Sequence, residues 1–122
     1  MDGRARAARG TAAEIAAEEH LKRSGMRAVA RDVRLKNGQI DLVMRDGKTL
    51  VLVEVKARRG SGYGLPQDAV DGRKLARLRR LAETYQLLHP SHGADLRVDV
   101  VAVDLDVAGR PGRCRHIPDV LA

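Results

Sequence analysis

Two tight-turn signals constrain the fold of this chain more than any other feature of its sequence. Asn37-Gly38 and Asp46-Gly47-Lys48 separate segments rich in Val, Leu and Ile. Asn-Gly and Asp-Gly dipeptides are typical of tight β-hairpin turns. They predict a meander of three antiparallel strands, at 27–35, 39–45 and 49–56.

A helical pattern precedes this meander. Thr-Ala-Ala-Glu at 11–14 resembles a capping box, and Gly25 is a typical residue for ending a helix. The sequence therefore predicts a helix from Thr11 to about Ser24. Its inward stripe consists of small or apolar residues at helical spacing, namely Ala13, Ala17, Leu21 and Ser24.

A second helix and further strands follow the meander. Asp71 is a favourable N-cap, and the apolar spacing after it predicts a helix to about Leu88. A valine-rich strand is predicted at 97–104, where Asp99 is expected to anchor a loop or an arginine. A short edge strand is predicted at 113–117.

The order of elements is therefore α-β-β-β-α-β. The helix after the third strand allows a crossover connection, so the fourth strand is expected to lie parallel to a neighbour. This order predicts an α/β protein with a two-layer core, in which helices flank a mixed sheet. Residues 1–9 are expected to form a basic arm or a frayed first helical turn, and residues 10–122 a single domain.

Charge and composition limit the partners of the chain. Lys and Arg total 23 against 16 Asp and Glu, which gives a net charge of +7 and a sequence pI near 10.3. This balance favours nucleic acid first and an anionic membrane second. The longest strongly apolar run, 50–53, is too short to span a bilayer. With one cysteine, Cys114, no internal disulfide can form, so a cytoplasmic location and no membrane partner are expected.

Asp41, Glu54 and Lys56 form the constellation with chemical meaning. A Gly47-Lys48 turn would place Asp41 opposite Glu54, whereas an Asp46-Gly47 turn would make Glu54 its diagonal neighbour. Side chains alternate along strands, so both registers place the three groups on one face. A three-residue loop would break this arrangement.

Two adjacent carboxylates repel each other, and a cation would offset that repulsion. Mg²⁺ commonly takes one or two protein carboxylates and keeps waters for substrate phosphates. Such a cation activates water and stabilises charge developing on a phosphodiester. Asp41 and Glu54 are therefore predicted metal ligands, and Lys56 is predicted to hold the attacking water or the scissile phosphate.

Two further residues each have two interpretations. Glu14 lies beside the stripe of the first helix, where it either joins the acids or completes the capping box with Thr11. Lys74 falls within the apolar arc of its helix near the N-terminus. It either reaches a phosphate at the same site or extends past the helix end into solvent.

Basic residues around this constellation are candidate nucleic-acid contacts. Arg58 and Arg59 lie in a predicted loop over 57–65, ahead of a helical turn at 66–70. Arg73 and Arg77 lie, with Arg80, on the polar face of the second helix. A solvated face is the alternative interpretation. Contacts of this kind predict salt-dependent binding with weak sequence preference.

The same residues resemble a known family. Gly38-Gln39-Ile40-Asp41-Leu42-Val43, followed by Leu52-Val53-Glu54-Val55-Lys56-Ala57-Arg58, is similar to the YraN family of small bacterial proteins. The resemblance extends over about residues 10 to 104 and includes Glu14 and Lys74. That family resembles archaeal Holliday junction resolvases and the wider PD-(D/E)xK nucleases, so it implies a restriction-endonuclease-like fold.

The resemblance also implies roles. By this resemblance, the acidic set consists of Glu14, Asp41 and Glu54, and Lys56 is the catalytic lysine. The Val55 carbonyl would be a further metal ligand. It implies DNA, often branched, as the substrate, Mg²⁺ (with Mn²⁺ as a substitute) as the cofactor, and a homodimer as in many resolvases. The expected function is metal-dependent endonucleolytic hydrolysis of DNA. The alternative is a non-catalytic nucleic-acid-binding module that retains the nuclease fold.

Three positions depart from the family pattern. Gln39 stands where Glu is usual, which removes a charge near Asp41. Asp32 stands where Asn is common, and Val98 where Phe is usual. None of these changes removes the two acids and the lysine.

Overall fold

A computed structural model describes residues 2–59, 71–93 and 95–121, with side chains from residue 12 onward. The helices and strands follow the order α1 (Asp2–Arg23), β1 (Arg27–Leu35), β2 (Gly38–Asp46), β3 (Thr49–Arg59), α2 (Gly72–Leu88), β4 (Leu96–Leu105) and β5 (Pro111–Ile117). The strands form one sheet in the order β1-β2-β3-β4-β5. The β3–β4 pair is parallel and the other pairs are antiparallel. The predicted α/β class, the mixed sheet and the parallel fourth strand are confirmed.

Helix α1 packs on one face of the sheet. Ala13, Ala17 and Leu21 are almost fully buried against strand residues such as Leu42 and Val53. Alanine at two of these positions lets the helix axis approach the sheet closely. The predicted stripe is correct in these three residues, whereas Ser24 lies beyond the helix end and is exposed.

Helix α2 packs on the opposite face. Its buried residues Leu78, Leu81 and Tyr85 contact a cluster that contains Val43 and Leu52. The molecule therefore has three layers, helix, sheet and helix, where the sequence predicted two. The physical reason is the continuous apolar run 50–53 in β3, which presents apolar side chains to both faces and requires cover on each.

The two hairpins set the register of β1, β2 and β3. Gly47 and Lys48 form a two-residue turn, with Asp46 opposite Thr49. This is the first of the two registers considered above. In the other hairpin the turn residues are Lys36 and Asn37 rather than Asn37-Gly38.

Gly38 ends that turn as the first residue of β2. Its φ is +146°, and a Cβ built there would lie 3.0 Å from Cδ2 of Leu81. Glycine therefore fits both the backbone conformation and the close approach of α2. Leu81 of α2 therefore packs directly against the backbone of the first hairpin.

Two boundaries differ from prediction. Helix α1 begins at Asp2, so the residues expected to form a basic arm or a frayed first helical turn are helical from that point, and Thr11 lies inside the helix rather than at its N-cap. Strand β3 continues to Arg59, because its parallel pairing with β4 runs through Arg59 and Leu105. Arg58 and Arg59 are thus strand residues, not loop residues. The predicted turn at 66–70 lies outside the described residues.

Asp99 anchors the far side of the sheet. Its carboxylate has no solvent exposure and accepts hydrogen bonds from Arg97 Nε (3.0 Å) and the Asp119 backbone N–H (2.9 Å). His116 Nε2 lies 2.6 Å from its Oδ2. The prediction that Asp99 anchors a loop or an arginine is confirmed, and the network ties β4, β5 and the C-terminal turn together. Within the described part of the chain, no helix is long and apolar enough to cross a membrane.

Candidate metal and nucleic-acid site

An opening between β2 and β3 positions Asp41. The hydrogen-bonded ladder between these strands ends at Leu42 and Val53, while β2 continues beside β1 through Ile40 and Val33. Beyond the ladder, the Asp41 side chain takes the place of a backbone partner, and its Oδ2 accepts the Val55 N–H at 2.8 Å.

The side chains of β2 change faces at this opening. Leu42 packs in the α1 cluster and Ile40 in the α2 cluster, although residues two apart normally share a face. Asp41, between them, is therefore close to groups from both layers. Asp41 and Glu54 lie close together, as predicted. The structure also shows that Asp41 is near Glu14 on the α1 side of the sheet.

Four carboxylates, which we call the carboxylate cluster, interact around this opening: Glu14, Asp32, Asp41 and Glu54. Burial raises the pKa of Asp41 to about 6; the Val55 N–H opposes that shift, whereas the charges of Glu54 and Asp32 add to it. Burial also raises the pKa of Glu14 to about 6, with contributions from Asp41 and Asp32. Burial and the neighbouring carboxylates thus disfavour the charged forms of Asp41 and Glu14.

Glu14 belongs to this cluster rather than to a helix cap. Because α1 begins at Asp2, Thr11 is not an N-cap and the capping-box interpretation is wrong. Glu14 is half-buried one residue after Ala13 and faces the charges of Asp41 and Asp32.

Asp32 is the member of the cluster that sequence reasoning missed. Its φ is +53°, a left-handed conformation that Asn and Asp tolerate better than most residues. Its Oδ1 accepts a hydrogen bond from Gln39 Nε2. The departures at 32 and 39 are therefore in contact, and Asp32 supplies a carboxylate beside the position where Gln39 lacks one. The signal in the sequence is that both departures fall on strands predicted to pair with each other.

Three cations, which we call the cationic group, lie on the α2 side: Lys56, Lys74 and Arg77. Arg77 Nη2 donates to Glu54 Oε2 at 2.7 Å. Burial lowers the pKa of the half-buried Lys74, and the nearby Lys56 ammonium lowers it further. Of the two interpretations of Lys74, the structure favours the one directed toward the site.

The remaining predicted contacts surround this group. Arg58 is half-buried and Arg59 is exposed, both near the end of β3, while Arg73 is exposed in the first turn of α2. Arg77 is 39% exposed and its guanidinium is paired with Glu54, a partner that the sequence did not predict. Beside these groups lies a pocket lined by the apolar residues Leu52, Leu78, Leu81 and Val98 and by the polar residues Gln39, Asp41 and Glu54.

The donor set determines whether Mg²⁺ could be held here. Across residues 2–59, 71–93 and 95–121, no three His, Cys, Asp or Glu side chains converge closely enough to form a complete metal site. Asp41 and Glu54 supply two carboxylates. In an extended strand, the N–H and C=O of one residue point to the same side, so the Val55 carbonyl lies on the same side of β3 as the N–H that Asp41 accepts. Two carboxylates and a carbonyl, with water completing the shell, suit Mg²⁺.

Comparison with known proteins identifies the family of the chain. The family described as "Uncharacterised protein family UPF0102" matches residues 13–103. A UPF0102 protein of Symbiobacterium thermophilum is 49% identical over 108 residues, covering 88% of this chain and 91% of its own length. A UPF0102 protein of Beutenbergia cavernae is 44% identical over 117 residues, covering 96% and 98%.

Among solved structures, a chain of an EndoMS–dsDNA complex aligns with a TM-score of 0.40 and 20% identity. The alignment covers 61% of this chain and 26% of that chain, so it spans about a quarter of the EndoMS polypeptide. The sequence matches show that the chain belongs to the UPF0102 family, which is the YraN family predicted above.

Proposed function

We propose that this member of the YraN (UPF0102) family is a metal-dependent endonuclease that hydrolyses phosphodiester bonds in DNA. The observation that carries the proposal is the position of Asp41, which is bonded to the Val55 N–H and faces the charges of Glu54 and Glu14. A carboxylate held in this way, next to three cations, suits a site where a cation and a phosphate meet.

In this proposal, Asp41, Glu54 and the Val55 carbonyl hold Mg²⁺, or Mn²⁺ in its place. When bound, the ion supplies Lewis acidity toward the phosphodiester and its attacking water. Lys56 holds a non-bridging phosphate oxygen or orients the water. Glu14, whose pKa lies near 6, can accept a proton from that water. The water oxygen bonds to phosphorus, one P–O ester bond breaks, and a proton ends on the leaving oxygen.

Binding to the DNA backbone would come from the basic residues beside the site. Lys74 approaches Lys56 from α2, and two adjacent ammonium groups repel each other unless an anion lies between them. A phosphate would remove that repulsion. Further phosphates along the DNA strand would be contacted by Arg58, Arg59 and Arg73. The affinity for DNA should therefore fall as the salt concentration rises.

A second function has specific support. Arg77 already neutralises one oxygen of Glu54, and three converging metal-ligand side chains are absent from the described residues. These observations suit a nucleic-acid-binding module that has lost turnover. Such a module would bind DNA with strong salt dependence and with no need for a divalent cation.

The deciding experiment is a cleavage panel. Labelled single-stranded, duplex, flap and four-way-junction DNA would be incubated with the protein in Mg²⁺, Mn²⁺ or EDTA. The nuclease proposal expects products with the metals, none in EDTA, and loss of products in Glu54→Gln. Glu83→Gln, an equivalent change at an exposed position of α2, should behave like the parent. Salt-sensitive binding with no products on any substrate would favour the binding module.

A further inference from the structure

The Arg77–Glu54 ion pair places a cation on a proposed metal ligand. The two side chains meet at 2.7 Å, with Glu54 at 18% and Arg77 at 39% exposure. Charge-assisted pairs of this kind are stronger than neutral hydrogen bonds. A metal ion that approaches Glu54 therefore meets an oxygen already engaged and a guanidinium of like charge.

Arg77 also lies where it can reach a different anion. It is located one helical turn after Lys74, and its charge contributes to lowering the pKa of that lysine. A DNA phosphate bound between Lys56 and Lys74 would lie near the guanidinium. The planar fork of arginine matches phosphate oxygens as well as it matches a carboxylate.

We propose that Arg77 exchanges between Glu54 and a DNA phosphate and so couples DNA binding to metal binding. This inference rests on the proposed function of the site. Without DNA, Arg77 holds Glu54 and weakens metal binding. With DNA, the guanidinium moves to the phosphate and Glu54 becomes available as a ligand. Arg77 acts through Glu54 and is thus a positioning residue rather than a catalytic one.

Thermodynamic linkage makes the coupling reciprocal. If DNA tightens metal binding by a given factor, the metal must tighten DNA binding by the same factor. The site would then assemble fully only on its substrate, which limits metal binding by the free protein. The same exchange explains why a carboxylate suited to Mg²⁺ is paired with arginine in the free chain.

The test measures Mn²⁺ affinity by electron paramagnetic resonance, with and without a phosphorothioate DNA duplex that resists cleavage. For the parent, we expect the duplex to tighten Mn²⁺ binding about tenfold, after subtraction of Mn²⁺ bound by DNA alone. Arg77→Gln should bind Mn²⁺ more tightly than the parent without DNA, and the duplex should add little. Arg79→Gln, an exposed arginine of the same helix, should match the parent.

A second variant tests the exchange from the other side. Glu54→Gln removes the carboxylate that retains Arg77, so its DNA affinity in EDTA should exceed that of the parent by about threefold to tenfold. Thermal unfolding would confirm that each variant is folded.

The contradicting results are distinct. Unchanged Mn²⁺ affinity in Arg77→Gln, with coupling to DNA retained, would overturn the exchange and leave the nuclease proposal intact. Equal or weaker DNA binding by Glu54→Gln in EDTA would also overturn the exchange. By contrast, if Asp41→Asn binds Mn²⁺ as tightly as the parent does, with and without DNA, the proposed metal site itself is excluded.

Discussion

Asp41 Oδ2 accepts the backbone N–H of Val55 at 2.8 Å, at the point where β2 separates from β3. A side chain thus replaces a backbone partner, and the same contact fixes the carboxylate beside Glu54. Local structure and the proposed chemistry therefore depend on one hydrogen bond.

Asp41→Asn should stabilise the metal-free protein at neutral and alkaline pH. The folded-state pKa of Asp41 is about 6, above the ordinary value of 3.8, so its contribution is favourable below pH 4 and is lost as pH rises through 6. One pKa unit corresponds to ~1.4 kcal/mol. We expect a gain in unfolding free energy of about 1–2 kcal/mol near pH 8 and little change near pH 4.

Chemical denaturation in EDTA at the two pH values measures this difference. Asp95→Asn, at an exposed position, is the control and should change stability little at either pH. Equal stability of parent and Asp41→Asn near pH 8 would show that the carboxylate carries no electrostatic cost in the folded protein.

Glu18→Gln should have the opposite pH profile. Glu18 is 6% exposed and pairs with Arg31 Nε at 2.5 Å and Lys22 Nζ at 2.8 Å. The hydrogen bond from Arg31 is the main cause that lowers its pKa to about 2. Its stabilisation is therefore present above pH 4.5 and is lost as pH falls toward 2.

At neutral pH we expect Glu18→Gln to lower the unfolding free energy by about 1–2 kcal/mol, with the difference shrinking on acidification. Urea unfolding across the acid range measures it. Glu19→Gln changes the adjacent exposed glutamate and should have little effect. A constant difference between pH 7 and pH 3 would contradict the ion-pair explanation.

Gly38→Ala should destabilise the protein by about 1–3 kcal/mol. The added methyl group would lie 3.0 Å from Leu81, which is 2% exposed and confined, and the φ of +146° disfavours any side chain. Thermal or urea unfolding measures the loss. Gly72→Ala, where a Cβ meets no atom within 4 Å, is the matched control and should be neutral or slightly stabilising.

Lys74→Gln should weaken DNA binding by about threefold to tenfold at low salt. The variant removes one of the two adjacent ammonium groups proposed to hold a phosphate. Fluorescence anisotropy over a salt series measures the affinity, and the salt dependence should become less steep. Lys48→Gln, in the β2–β3 turn at the other end of the sheet, should bind like the parent. Identical salt curves for Lys74→Gln and the parent would exclude this contact.

The sequence was informative wherever a local rule determined the outcome. The Gly47-Lys48 turn set the register of β2 and β3, and the Asp71 cap set the start of α2, where its side chain accepts the Lys74 N–H. Apolar spacing also identified the buried residues Ala13, Ala17 and Leu21 of α1. These features depend on residues close together in the chain.

Features that depend on distant contacts were not predictable in the same way. The Arg77–Glu54 pair joins α2 to β3, and the hydrogen bond from Gln39 to Asp32 joins β2 to β1. The alternation of apolar and polar residues along β2 and β3 does not indicate that the two strands separate at Asp41. The three-layer arrangement, by contrast, follows from the apolar run 50–53, which requires cover on both faces of the sheet.

The most direct test of the metal-dependent nuclease centre is the single-turnover cleavage rate of Asp41→Asn relative to the parent. It would be measured in Mg²⁺ on the DNA structure that the parent cleaves best. Asparagine keeps the shape of the side chain and an oxygen to accept the Val55 N–H, but it removes the ligand charge. We expect the rate to fall by about a thousandfold or more while the protein stays folded. A rate equal to that of the parent would contradict the assignment of Asp41 and, with it, the proposed site.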